Sequence, residues 1–385
     1  LSWRGRLSAG VYGVRAVYLG DEVYARSESE PKQVRIVGPA NLLDEVEADV
    51  VTLLEEGFAE GVSRSVDATR RVVGAARHRH PVTVVPAGDG SDVTYDATVT
   101  GGTDDGVTAD GTVEGAVALT RDGRWIGYVD GAFTSAREDG VRSTTVLGSV
   151  AVEGVMRSGP LDGGTVGAFG TLTRTGGAVD QGDLAGTRSS STGFVGGYLV
   201  SPLAGGLVVD AYAGAGVVGV DLDVENDVVR VTGAASRPQV QAGVNVSGSF
   251  RASIVTFTPR FGVAYGAVGG GDVPVTVTGY GASEDAEVTT DGATVVRPVF
   301  EPRLSVDLGS LDAFGAGSPF DVTLTPSVAC DVGFDGAATT CGWGIRAGVE
   351  GPAGAPGAVV GSDVSYRSNG GAHEFGASLR LAYAF

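Results

Sequence analysis

What narrows the choice of folds furthest is an alternation of apolar and polar side chains that holds from about residue 92 to the last residue. In "RPQVQAGVNVSGSFR", Val240, Ala242, Val244, Val246 and Phe250 share one face, while Gln239, Gln241, Asn245, Ser247, Ser249 and Arg251 share the other. In "VVRPVFEPRLSVDLG", Val296, Pro298, Phe300, Leu304 and Val306 oppose Arg297, Glu301, Arg303, Ser305 and Asp307. "PFDVTLTPSVACDVGF" sets Val322, Leu324, Val328 and Cys330 against Asp321, Thr323, Thr325 and Ser327. The last segment sets Phe375, Leu379, Leu381, Tyr383 and Phe385 against Glu374, Ser378 and Arg380. A half-buried strand of a soluble sheet alternates too. Soluble strands, however, usually run about 5–6 residues, and these faces persist about twice as long. That length suits tilted strands with about 9–11 residues in hydrocarbon. The expected fold is all-β: a transmembrane up-and-down antiparallel β-barrel.

Composition fits. Glycine supplies 64 of 385 residues without a collagen period, and in curved barrel walls it relieves crowding and permits bends. The net charge is −19, from 27 basic and 46 acidic residues. With no basic face, nucleic acid is excluded as the main partner. No apolar run reaches the roughly 18 residues of a membrane-spanning helix. The chain begins at Leu1 and reads as a processed or truncated product.

Residues 1–40 read as a short β-rich segment. Residues 41–80 change period: Leu43, Val46, Val50, Leu53, Leu54, Phe58, Val62, Val66, Val73 and Ala76 recur every three or four positions, which predicts one long α-helix. Asn41 is its expected N-cap and Pro81 its far boundary. Residues 81–123 form a connecting segment or an extra hairpin, and 124–385 the barrel. Twelve strands are expected between 124 and 385. Tyr95, Ala97, Val99 and Val113, Val117, Leu119 would add a pair and make fourteen. Short turns such as "PLAGG" alternate with long, mostly acidic connections at 176–191, 223–236 and 269–293, read as outer loops. The polar faces nominate pore-lining residues: Gln239, Gln241, Asn245, Arg251, Arg260, Arg297, Glu301, Arg303, Asp307, Asp321, Arg346, Glu350, Glu374 and Arg380. Cys330 and Cys341 are symmetric about Asp335-Gly336, a hairpin signal. Directly opposed cysteines are compatible with a disulfide; two reduced thiols are the plainer alternative.

A long helix leading into alternating strands that end in "HEFGASLRLAYAF" resembles the C-terminal translocator domain of autotransporters, the type V secretion proteins. The block "VVDAYAGAGVVGVDLDVENDVVRVTGAASRPQVQAGVNVSGSF" and the following "IVTFTPRFGVAYGAV" are similar to the middle strands of that domain. The resemblance implies an outer-membrane barrel that exports and anchors an N-terminal passenger, with residues 1–40 a passenger or stalk stub. It implies that helix 41–80 threads the pore, with Asp44, Glu45, Glu47 and Asp49 facing Arg297, Arg303, Arg251 or Arg260. It further implies an assembly signal at Leu379, Leu381, Tyr383 and Phe385, and as partners outer-membrane lipid, the barrel assembly machinery and the chain's own N-terminal passenger.

Chemistry of other kinds is not expected. There is no GxSxG elbow, HExxH or phosphate loop, and "RHRH" at 77–80 offers too few ligands for a metal. No enzyme activity, cofactor or metal is predicted. Two other functions stay open: a porin-like diffusion channel with a periplasmic N-terminal helix, and a surface adhesive or structural β protein.

Overall fold

The computed structural model describes residues 10–20, 22–36, 38–79, 91–102, 107–120, 124–138, 141–156, 163–308, 320–333, 340–352, 358–369 and 372–384. Four short strands come first: β1 (Gly10–Val14), β2 (Val17–Tyr18), β3 (Ser27–Glu28) and β4 (Lys32–Ile36). β1 pairs with β4 and β2 with β3. One helix follows, α1 (Ala40–Arg79), 40 residues long and so about 60 Å from end to end.

The wall begins with the extra hairpin, β5 (Ser91–Gly102) and β6 (Val107–Ala118). It continues through β7 (Trp125–Glu138), β8 (Val141–Val155), β9 (Thr165–Gln181), β10 (Leu184–Pro202) and β11 (Leu207–Glu225). Three crossings are interrupted. β12 (Val229–Gly248) runs into β13 (Phe250–Ala252). β14 (Val255–Thr258), β15 (Arg260–Val268) and β16 (Gly271–Gly279) form the next, and β17 (Ala282–Thr290), β18 (Ala293–Phe300) and β19 (Arg303–Asp307) the third. The wall ends with β20 (Asp321–Gly333), β21 (Thr340–Pro352), β22 (Ala358–Asn369) and β23 (Ala372–Ala384). Every neighbour is antiparallel, and β23 pairs with β5, so the ladder closes. The wall has twelve crossings from residue 124 on, and the extra hairpin around Tyr95 and Val113 makes fourteen.

The long outer loops need correction. Residues 176–191 and 223–236 are strand, turned over at Gly182 and at Asn226 to Val228. Residues 269–293 continue the wall as β16 and β17, joined by Tyr280 and Gly281. Both have positive φ, 51° and 77°, the pattern of a tight two-residue hairpin turn. β12 pairs first with β15 and then with β16, with one extra residue on the latter side. This is a bulge, and Arg237 holds it by donating to the carbonyls of Gly269 (3.0 Å) and Gly271 (2.5 Å). The sequence misleads here because the segments are acidic, yet most of that charge lies on outward positions. Inward Val229, Val231, Val273, Val275, Val277 and Val288 are buried.

One rim is therefore tall. Its outward side chains change along each strand. Low on the wall, Val129, Val150, Leu172, Val195, Val217, Val240, Phe261 and Val328 are exposed, with Leu172 at 70% and Val195 at 67%. Higher up the outward residues are Asp221, Asp223, Arg230, Asp285 and Glu287. Such an exposed apolar belt across the described strands is larger than a soluble surface carries and is what the outer face of a barrel in a bilayer presents. Among the described residues no helix is long and apolar enough to cross a membrane.

Candidate functional site: a helix seated in the barrel lumen

α1 lies inside the barrel, packed on the arc from β8 to β12 and from β15 to β18. Every apolar residue that predicted the helix is buried, and Leu42 and Val72 join them. The helix starts one residue early, at Ala40. Asn41 is not its N-cap: its Oδ1 accepts from the Gly38 N–H at 3.3 Å. The Ala40 N–H is instead met by Glu284 Oε2 of β17 at 3.2 Å, so the tall hairpin caps the helix.

The two halves of α1 meet different surroundings. The first half stands within the tall rim, above the apolar belt. Leu42, Leu43, Val46, Val50, Leu53, Leu54 and Phe58 close there on Leu184, Val220, Leu222, Val224, Val231, Val275 and Val277 in one dry core. Arg188 grips this half from β10, donating to Glu56 (2.8 Å) and to the Leu53 carbonyl (3.1 Å). The Arg237 guanidinium lies 4.7 Å from the Phe58 ring centroid, at the foot of the core.

The second half sits within the belt and meets a polar wall. Gln241 Nε2 donates to Ser65 Oγ at 2.7 Å. Arg297 donates to Ser63 Oγ at 2.7 Å and is paired with Asp67. Near the foot of the helix, Arg77 donates to Asp210 at 2.6 Å, and Asn245 donates to the other oxygen of Asp210 at 2.7 Å. Asp210 is 0% exposed. Arg71 reaches toward Asp130 of β7, 3.7 Å away. Two glycines allow this seating. A Cβ at Gly57 would lie 2.8 Å from Val220, and one at Gly61 would collide with Val218.

Predicted pore residues divide accordingly. Gln239, Gln241, Asn245 and Arg297 line the lumen and are buried under α1. Arg260 pairs with Glu301 at 2.7 Å on the wall itself. Arg251 and Asp307 lie 3.9 Å apart at the rim of short turns, and Arg303 and Asp321 are exposed near it. Arg346 and Glu350 stand on the inward face of β21. Glu374 and Arg380 fall on β23, outside the described side chains, as do Leu379, Leu381 and Tyr383; Phe385 lies outside the described residues. The expected pairing of Asp44, Glu45, Glu47 and Asp49 with luminal arginines is not formed. These four stand on α1 at the tall rim, while Arg297, Arg260 and Arg251 pair with Asp67, Glu301 and Asp307. Ser63, Ser65, Asp67, Thr69 and Arg77 of α1, which meet the wall, and Asp210, which receives Arg77, are residues sequence reasoning missed. For two of them a signal was present: Ser65 and Thr69 interrupt the apolar stripe one turn apart. Cys330 and Cys341 are directly opposed on β20 and β21 and are joined as a disulfide.

No family model and no curated protein matches the chain. Among solved structures it is similar to the translocator domain of the autotransporter NalP from Neisseria meningitidis, at 11% identity, covering 86% of this chain and 99% of that one, with a TM-score of 0.49. It is similar to the β domain of the Bordetella autotransporter BrkA, at 15% identity, covering 77% and 100%, with a TM-score of 0.45. It is also similar to the monoaromatic hydrocarbon channel CymD, at 10% identity, covering 80% and 92%, with a TM-score of 0.49.

Proposed function

We propose that the chain is a bacterial outer-membrane translocator whose barrel carries its own N-terminal segment to the cell surface and holds it there through α1. What supports this reading is the route of the chain. Residues before Ala40 leave the helix at the tall rim, where Glu284 caps it. The helix then descends to Asp210 near the rim of short turns, and β5 starts beside the end of β23 on that same side. With short turns in the periplasm, the N-terminal strands lie outside the cell and the helix fills part of the pore. The partners follow: outer-membrane lipid around the apolar belt, the barrel assembly machinery acting on β23, and the N-terminal segment as passenger or its remnant.

Labelling with a membrane-impermeant maleimide tests the topology. A cysteine at Ser27 (S27C), on exposed β3, reacts in intact cells. One at Ala252 (A252C), on exposed β13 at the short-turn rim, reacts only after the outer membrane is permeabilised. The reverse pattern overturns the proposal.

A further inference from the structure

The outside of the tall rim carries a cleft in which α1 has no part. Every outward position of β11 from Leu207 to Gly219 is apolar or glycine, and Asp221 and Asp223 follow. That stretch covers a bilayer crossing of about 9–11 residues, so the two aspartates stand at the height of lipid headgroups. At this height Asp223, Thr232, Thr276 and Asp285 are directly opposed in one row across β11, β12, β16 and β17. Pro274 and Glu287 face each other one outward row nearer the belt. These six residues line an open cleft of about 950 Å³.

The two sides of the cleft differ in charge. On one, Arg230 donates to both oxygens of Asp223, at 2.8 and 2.6 Å, and its guanidinium has further N–H groups for another acceptor. On the other, Asp285 and Glu287 stand exposed on one strand. Thr276 donates to one oxygen of Asp285 at 2.9 Å, which leaves the second oxygen for another donor. No basic residue is in the lining; Arg174 also faces outward, but on β9, two strands beyond β11. An anion seated on β17 meets two carboxylates. Among the described residues no three acidic, histidine or cysteine side chains gather to hold a metal ion that would bridge a phosphate to the wall. A ligand with its positive end toward β17 and its negative end toward β12 meets opposite charge at both. Arg230 and Asp285 stand two strand spacings apart, roughly 10 Å, and their side chains shorten that gap to the size of a zwitterionic headgroup.

We propose that this cleft binds a membrane lipid with a phosphoethanolamine head. The ammonium donates hydrogen bonds to Asp285 and Glu287, and the phosphate turns toward Arg230. The acyl chains then cover the belt directly below, where Val217 and Val240 are 49% and 52% exposed on the same strands. The inference rests on the barrel standing in a bilayer, as proposed above, but not on export of the N-terminal segment.

The test is native mass spectrometry of the full chain released from micelles that hold equal amounts of phosphatidylethanolamine, phosphatidylcholine and phosphatidylglycerol with identical acyl chains. The choline head carries the same charges without an N–H donor, so it isolates the hydrogen bonds. Ethanolamine adducts should exceed choline adducts by roughly two- to five-fold, the range that exposed charge pairs give. Asp285→Asn together with Glu287→Gln removes the preference. Asp180→Asn together with Asp183→Asn, which takes two charges from another hairpin of the same rim, leaves it. Equal ethanolamine and choline adducts overturn the proposal, as does a preference that survives the first pair of substitutions or is lost with the second. Phosphatidylglycerol adducts that dominate and grow with magnesium overturn it in favour of a cation-bridged phosphate. Heat-dependent migration in detergent gels reports the barrel in every form. A folded barrel without the preference leaves the membrane reading standing, and a chain that never forms a heat-modifiable barrel overturns both.

Discussion

Asp210 holds two groups at once, Arg77 of the helix and Asn245 of the wall, with no contact to solvent. Asp210→Ala leaves a guanidinium buried without its counter-charge, which costs about 3–5 kcal/mol. The expected outcome is a lower unfolding midpoint in denaturant and faster proteolysis at the foot of α1. Arg77→Met combined with Asp210→Leu removes both charges and should recover most of that loss. In the dry core, Phe58→Ala removes a fully buried ring and costs about 3–5 kcal/mol, read as easier cleavage of the upper helix while the barrel still resists detergent. At this scale the sequence was legible in one respect. Periodicity told which face of each element is buried, so Gln239, Gln241, Asn245 and Arg297 were found. It did not tell how far along the lumen the helix sits, because sliding α1 by a turn preserves its face. For that reason Asp67, and not Asp44 or Glu47, is the residue that meets Arg297.

At the scale of elements, the hairpin of β16 and β17 is the piece whose role was hidden. It caps α1 through Glu284 and contributes Val273, Val275, Val277 and Val288 to the core. Replacing residues 271–290 with a short turn should leave heat-dependent migration intact, because the belt strands keep their partners. It should also bare Leu42 and Leu43 and permit proteolysis between residues 40 and 58. The alternation of Val273, Val275 and Val277 was visible in the sequence. From the sequence it reads as loop because a membrane crossing needs only about 9–11 residues, and nothing in the alternation marks where bilayer ends and water begins. The outward change from Val217 to Asp221 and Asp223 marks it, once the strand is known to continue. The seating of α1 makes another element-level prediction. Gly61→Val adds bulk against Val218 where none fits; overpacking of this kind costs typically about 1–3 kcal/mol, and increased conductance with loss of protease protection along the helix would report unseating.

Across the whole molecule, the closed wall and the helix are one folding problem. The wall alone would leave the inward valines of the tall rim facing water; the helix alone would leave its own stripe bare. This joint core has a mechanical consequence. The upper half of α1 and the sheet around it form one apolar head above the separate polar contacts of the belt-level lumen. Tension applied from outside peels the helix away from the head turn by turn. Tension from the periplasmic side must break the head as a unit before Leu42 to Phe58 can move past Gln239 and Gln241. Force spectroscopy from the two ends should therefore give unequal rupture loads, with the greater load required to draw the chain back into the cell.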